Sequence, residues 1–256
     1  MSKTFKHRKN PKPALTVADT GFFKTVMAFV SKQFGKGLTK KDQTSLVKII
    51  IQTVKGFKLL GKLKNNYCVT FFASARLKEN SEAYRLGRYI ASELAIRSNK
   101  KIAIITGGGP GGMEAANRGA HEAGTLSCGI SIKLPHETKS NDYVHPALDY
   151  ICENFFIRKY LMVKQTKAVV VLAGGIGTIE EAFEVATLKQ NSHCQTMPIY
   201  FIDQDGMYSK LMRWYEECVV EKGMLRVEEM ERLWKVVPVD QVDQMIDEIV
   251  AQSLAA

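Results

Sequence analysis

An α/β fold is predicted here, a doubly wound, mostly parallel, Rossmann-like sheet with an N-terminal helical extension. Three observations predict it. From Tyr67 onward short apolar runs alternate with helix-periodic stretches, glycine-rich turns follow the runs, and residues 1–66 differ in composition from the rest. Strands that alternate with helices imply right-handed crossovers and parallel pairing. Tyr67–Ala73, Ile102–Thr106, Leu126–Ile132, Ala168–Leu172, Pro198–Ile202 and Leu233–Val237 read as buried strands. Ser81–Ser98, Met113–Ala123, Phe155–Lys164, Ile179–Lys189, Met207–Glu221 and Val239–Leu254 read as the helices between and after them. Ahead of the sheet, Phe23, Val26, Met27, Val30 and Phe34 fall at helical spacing, and Gly35 and Gly37 stop the pattern. Leu46, Ile49, Ile50, Val54, Phe57 and Leu60 repeat it. Residues 1–13 are Lys-rich with Pro11 and Pro13, without apolar periodicity, and read as a disordered tail. The chain therefore divides into a basic segment of tail and amphipathic helices, 1–66, and a Rossmann-like body, 67–256.

Charge follows the same division. The 256 residues carry a formal +10, but residues 1–66 hold 15 Lys/Arg against Asp19 and Asp42, a net of +13. The remainder holds 21 Lys/Arg and 24 acids, a net of −3. A body of this size can bury a substantial core. The longest apolar candidates, Val26–Val30 and Leu46–Val54, fall short of a membrane span, and no secretory signal is legible. The basic segment is also poor in Arg and Ser, unlike a transit peptide. Five widely spaced cysteines, Cys68, Cys128, Cys152, Cys194 and Cys218, form no C-x-x-C pair, which fits reduced thiols and a cytoplasmic protein. For the basic segment, a helical hairpin that packs its apolar stripe on the body or a partner subunit is favoured. An arm that binds nucleic acid or an anionic membrane is the alternative.

Ligands of a doubly wound sheet sit beyond the carboxyl ends of the strands. Three strands end there in conspicuous segments: Ala73–Arg76, Thr106–Gly112 and Ala173–Thr178. Gly107, Gly109 and Gly112 satisfy G-x-G-x-x-G, yet the next strand ends Ile132-Lys133-Leu134 without the acid that would hold a ribose diol. Hydride chemistry is discounted. Met113 and Glu114 stand where a P-loop needs Lys and Ser/Thr. The Gly174–Thr178 loop lets the backbone approach an anion, and the helix it opens directs free N–H groups and a positive dipole end toward it. A phosphate fits there, with Thr178 as a further donor and Glu181 nearby. Thr178-x-x-Glu181 also spells a capping box, and Arg158, Glu180 and Glu184 could be surface charges; both readings stay open on the residues alone. The histidines (His7, His121, His136, His145, His193) show no metal-ligand spacing, so no metal is expected.

Together these elements resemble the LONELY GUY family, whose members are often mislabelled lysine decarboxylases. The family pattern P-G-G-x-G-T-x-x-E reads here Ala173-Gly174-Gly175-Ile176-Gly177-Thr178-Ile179-Glu180-Glu181, with Arg158-Lys159 fifteen residues upstream of Ala173. Longer bacterial members also resemble the chain at Phe72–Arg76, Thr106–Arg118 and Phe155–Lys159. The likeness spans roughly residues 67–222, not the basic segment. It implies a phosphoribohydrolase that uses no cofactor and cuts a nucleoside 5′-monophosphate, with AMP or an N6-substituted AMP as plausible substrates, into base and ribose 5-phosphate. By the resemblance, Glu181 and Arg158 are catalytic, and Gly174, Gly175, Gly177 and Thr178 anchor the 5′-phosphate. Ser74, Arg76, Gly107, Gly108, Gly109, Gly112 and Lys159 would bind the rest of the substrate, and the assembly would be a homodimer or larger. Two positions depart from the pattern: Ala173 replaces Pro, and Phe156 stands where short plant-type members carry His. Nothing resembles a pyridoxal-phosphate lysine site. A non-catalytic nucleotide or cofactor carrier on the same fold, and a DNA-processing-type nucleic-acid binder, are the rival readings.

Overall fold

The computed structural model describes residues 21–35, 37–133, 139–191 and 197–255. The Lys-rich tail, His7, His136, His193 and Cys194 lie outside them. By its contacts the chain divides into two compact units, one up to Lys55 and one from Gly56.

In the first unit, α1 (Gly21–Phe34) and the start of α2 (Lys40–Leu60) form a helical hairpin. Val30, Val47 and Ile51 are its core, with Phe23, Val26 and Met27 packed against them. Thr39 and Asp42 cap α2 reciprocally: Asp42 N donates to Thr39 Oγ1 at 3.2 Å, and Thr39 N to Asp42 Oδ2 at 3.1 Å. Gln43, buried, accepts from Ser31 Oγ at 2.6 Å and donates to the Leu38 carbonyl, which holds the turn.

The second unit is a seven-stranded, wholly parallel sheet flanked by helices. In chain order it runs β1 (Tyr67–Phe72), α3 (Glu82–Arg97), β2 (Ile102–Thr106), α4 (Gly112–Glu122), β3 (Ser127–Ile132) and β4 (Asp149–Cys152). Then follow α5 (Phe155–Lys164), β5 (Thr166–Val171), α6 (Ile176–Gln190), β6 (Ile199–Asp203), α7 (Met207–Tyr215), α8 (Val227–Leu233), β7 (Lys235–Pro238) and α9 (Val242–Ala255). The spatial order is β4-β3-β2-β1-β5-β6-β7, so the chain builds outward from β1 and returns beside it at β5. The connections leaving β1 and β5 diverge. That is the topological switch point, and it opens a crevice at their carboxyl ends.

Alternation along buried strands supplies two cores. Cys68, Phe72, Ile105, Val169, Val171 and Phe201 face one layer, with Leu59, Leu60, Leu161 and Val185 from the helices. Val69, Phe71, Ile104, Val170 and Tyr200 face the other, against Ile90, Leu94, Ile246 and Ile249. Side chains of adjacent residues point to opposite faces, so a continuous apolar run fills both layers.

The structure adds one strand to the six expected. β4, four residues at the sheet edge, pairs with β3 from Gly129↔Asp149 to Ile132↔Cys152. Its Asp149-Tyr150-Ile151-Cys152 is too short and too polar for the buried-run signal, because an edge strand needs only one covered side. The helix expected over Met207–Glu221 ends as α7 at Tyr215 and continues as a π-turn over Glu216–Val220, and α8 precedes β7.

α3 and α4 make the tightest helix contact. A Cβ on Gly119 would press on the backbone of Arg88 and Ser92. Backbone cannot yield as a side-chain tip does, so Gly119→Ala should cost about 1–3 kcal/mol in urea unfolding. Gly177→Ala, which enters open space, should change stability by no more than about 0.5 kcal/mol.

Candidate active site

At the switch point the loops after β1, β2 and β5 meet the starts of α5 and α6 around a cavity of about 390 Å3. Of the residues singled out in the sequence, Ser74, Arg76, Gly107, Arg158, Gly175, Gly177, Thr178 and Glu181 line it. Gly108, Gly109, Gly112, Gly174 and Lys159 do not. Gly108 and Gly109 lie behind it, their carbonyls held by Asn141 Nδ2 at 3.1 and 3.0 Å. Gly112 opens α4 and donates its N–H to the Ser74 carbonyl at 2.9 Å, which ties the first loop to the second. Gly174 sits beneath Thr178, where any Cβ would overlap the threonine side chain.

Arg158 is the least expected feature for a charged residue: it is only 7% exposed. α5 begins just beneath the cavity because Asn154 caps it, accepting from Phe156 N at 2.9 Å and Ile157 N at 3.3 Å. That places Arg158 one turn in and directs its side chain toward the ends of β2 and β3. Nε donates to the Ile130 carbonyl at 3.0 Å, and Nη1 forms an ion pair with Glu181 Oε1. Gly107 makes this possible, since a Cβ there would overlap Nη2. A buried guanidinium without such partners would be strongly destabilising.

Glu181 comes from α6 and is itself mostly covered. Burial pushes its carboxyl above the usual range for glutamate, and the Arg158 charge offsets only part of that rise. The capping-box alternative is not what forms. α6 starts at Ile176, with Gly175 at the N-cap and no side-chain cap, so Thr178 is already helical and Glu181 turns to Arg158. The first intrahelical bond runs from Ile179 N to Gly175 O at 3.1 Å. The N–H groups of Ile176, Gly177 and Thr178 are thus left without partners inside the helix, at its positive end and beside the cavity. Lys159 takes another role than the cavity wall. Its ammonium lies 2.6 Å from Glu180 Oε1 and 3.0 Å from Glu184 Oε2, which raises its pKa and clips α5 to α6 next to the Arg158–Glu181 pair.

Behind the second loop lies a buried polar chain. Thr106 Oγ1 donates to Asn117 Oδ1 at 2.6 Å, Asn117 Nδ2 to Ser127 Oγ at 2.8 Å, and Gly108 N to Thr106 Oγ1 at 2.9 Å. It fixes the turn that carries Gly107. Sequence reasoning missed Met113, Ile132 and Phe155, which give the cavity an apolar side. Phe155 stands three residues before Arg158 on one helix, so helical spacing from the arginine was the available signal. Ile132 and Met113 follow from being the last residue of a strand and the second of a helix at the same sheet edge.

The model of a family described as "Possible lysine decarboxylase" matches residues 113–249, more than half of the chain. The chain belongs to this family, the LONELY GUY family. A relative in Arabidopsis thaliana named "Probable cytokinin riboside 5'-monophosphate phosphoribohydrolase" is 29% identical over 53% of this chain and 66% of its own length. One of the same name in Oryza sativa subsp. japonica is 30% identical over 48% of this chain and 53% of its own. The chain thus spans about half to two thirds of the length of these LONELY GUY relatives. Among solved structures, the molybdenum cofactor binding protein of Rippkaea orientalis is 20% identical, with 73% of this chain and 98% of that one covered and a TM-score of 0.47.

The electrostatics of the pair are directly measurable. A carboxyl-carbon NMR titration should give Glu181 a midpoint above ordinary glutamates. Arg158→Met should raise it further, because the charge that favours ionisation is removed while the burial stays.

Proposed function

We propose that this chain hydrolyses the N-glycosidic bond of a nucleoside 5′-monophosphate, releasing free base and ribose 5-phosphate. The observation that carries the reading is the buried Glu181 carboxylate, paired with Arg158, beside a helix N-terminus whose first amides face a cavity of nucleotide size. The names of the relatives point the same way. In this reading the 5′-phosphate rests on the N–H groups of Ile176, Gly177 and Thr178, and Arg76 closes over it from the rim. The ribose then lies along α6 toward Glu181, and the base against Met113, Ile132 and Phe155.

Breaking the bond leaves positive charge on the ribose ring. Glu181, as carboxylate, stabilises that charge and orients a water toward C1′. The water's oxygen bonds to C1′, the electron pair of the broken C–N bond leaves with the base, and the water's proton ends on the base. Arg158 holds the carboxylate in place and keeps it ionised. AMP or an N6-substituted AMP fits the apolar side wall; Phe156, which stands where short plant-type members carry His, lies outside the cavity lining. A second copy of the chain is the partner we propose for the exposed outer face of α5, where Phe156 is 77% and Tyr160 49% exposed.

A panel of nucleoside monophosphates assayed for free base tests this. Release should fall by roughly 100-fold or more in Glu181→Ala and in Arg158→Ala. The acid limb of kcat/KM should lie above the ordinary carboxylate range: Glu181 acts ionised, so activity is lost as pH falls through its raised pKa. Tight monophosphate binding without release would assign the chain to the carriers instead. Release unchanged in both variants would remove the pair from the mechanism.

A further inference from the structure

Periodicity alone favours burial of the apolar stripes of α1 and α2. Within the hairpin only part of each is taken up. Val30, Val47 and Ile51 meet, yet Phe22 remains 49% exposed, Phe29 58%, Leu46 38% and Ile50 40%. Successive residues of a helix advance about 100°. Phe22 and Phe29 therefore lie to one flank of the Phe23–Val26–Val30 stripe, and Leu46 and Ile50 to one flank of the Val47–Ile51 stripe. In an antiparallel pair those two flanks fall on the same side of the hairpin. Lys24, Lys41 and Lys48 fall on the opposite side. The hairpin thus has an apolar side, open to solvent, and a polar side whose charges are nearly all positive: residues 21–55 hold seven lysines and one acid, Asp42.

We infer that this hairpin docks the protein on an anionic lipid surface, with Phe22, Phe29, Leu46 and Ile50 set into the headgroup boundary. Three considerations select lipid over other occupants. An amphipathic helix with aromatic and aliphatic residues on one side and lysines on the other is suited to lie in the plane of a bilayer interface. The surface potential of acidic lipids reaches about a Debye length, ~10 Å, which is about the thickness of one helix, so the lysines on the far side still contribute. A nucleic acid would bind the lysine side and leave the apolar side uncovered. No described helix is long and apolar enough to cross a membrane, and none is needed for this mode of attachment. The inference is independent of the reaction at the sheet edge.

The full-length chain should be sedimented with vesicles of phosphatidylcholine, with and without phosphatidylglycerol. Binding to the anionic vesicles should exceed that to neutral ones by at least about tenfold. The combined variant Phe22→Ser, Phe29→Ser, Ile50→Ser should lose about tenfold or more with unchanged far-UV circular dichroism. Lys24→Glu with Lys41→Glu should weaken binding to anionic vesicles alone. Absence of vesicle binding, or binding equal in the serine variant, would overturn the proposal. So would a dimer in sedimentation velocity that the serine variant abolishes, or displacement of the protein from vesicles by duplex DNA.

Discussion

A guanidinium taken out of water has to be met by partners of matching charge and geometry, and much of the sheet edge is arranged around that requirement at Arg158. Three separate parts of the chain supply what it needs. Strand β3 offers the Ile130 carbonyl, α6 offers the Glu181 carboxylate, and the turn after β2 offers the absence of a side chain at Gly107. Removing one partner would leave a buried charge unpaired, which costs far more than the pair contributes. The loops after β2 and β5 and the start of α5 are therefore positioned relative to one another by one interaction. Lys159, clipped to Glu180 and Glu184, repeats the link one residue along and keeps the two helices in register.

The same interaction explains why the carboxylate is useful. Burial raises the energy of the ionised glutamate and the arginine offsets part of that rise, so the Glu181 carboxyl stays above the ordinary glutamate range and its ionised form is poorly solvated. A carboxylate in that condition interacts strongly with positive charge that develops close by. An anion beside the cavity would need no cluster of lysines, since the open first turn of α6 supplies N–H groups and a dipole. An anion can thus be held on a body whose net charge is −3. The large positive excess belongs to the N-terminal segment, residues 1–66, ahead of the sheet that carries the site.

Much of the fold was legible in the sequence, because strands buried on both faces announce themselves as unbroken apolar runs. The Ile102–Thr106 strand and the Ala168–Leu172 run are of this kind. Asp149–Cys152 escaped notice since it is only four residues long and opens on a charged residue, with no such run. In the site, glycine turns at strand ends pointed to the edge of the sheet where the cavity lies. They did not separate Gly107 and Gly175, which face the cavity, from Gly108, Gly109 and Gly174, which shape the turns behind it. Spacing could not distinguish these either, as neighbouring residues in a tight turn point in different directions. Thr178 and Glu181 posed the sharper ambiguity: a capping box and a catalytic pair have one spelling. In the structure Glu181 turns to an arginine across the cavity and does not cap α6, through a contact that joins residues 23 apart in sequence.

If one cavity brings a phosphate to the N-terminus of α6 and a ribose to Glu181, a crystal structure of Glu181→Gln soaked with AMP tests it most directly. The 5′-phosphate is expected within hydrogen-bond reach of the Ile176, Gly177 and Thr178 amides. The ribose C1′ is expected to face the substituted side chain at position 181, with the base against Met113, Ile132 and Phe155. A nucleotide whose phosphate lies elsewhere, or whose C1′ is turned away from position 181, would contradict this arrangement.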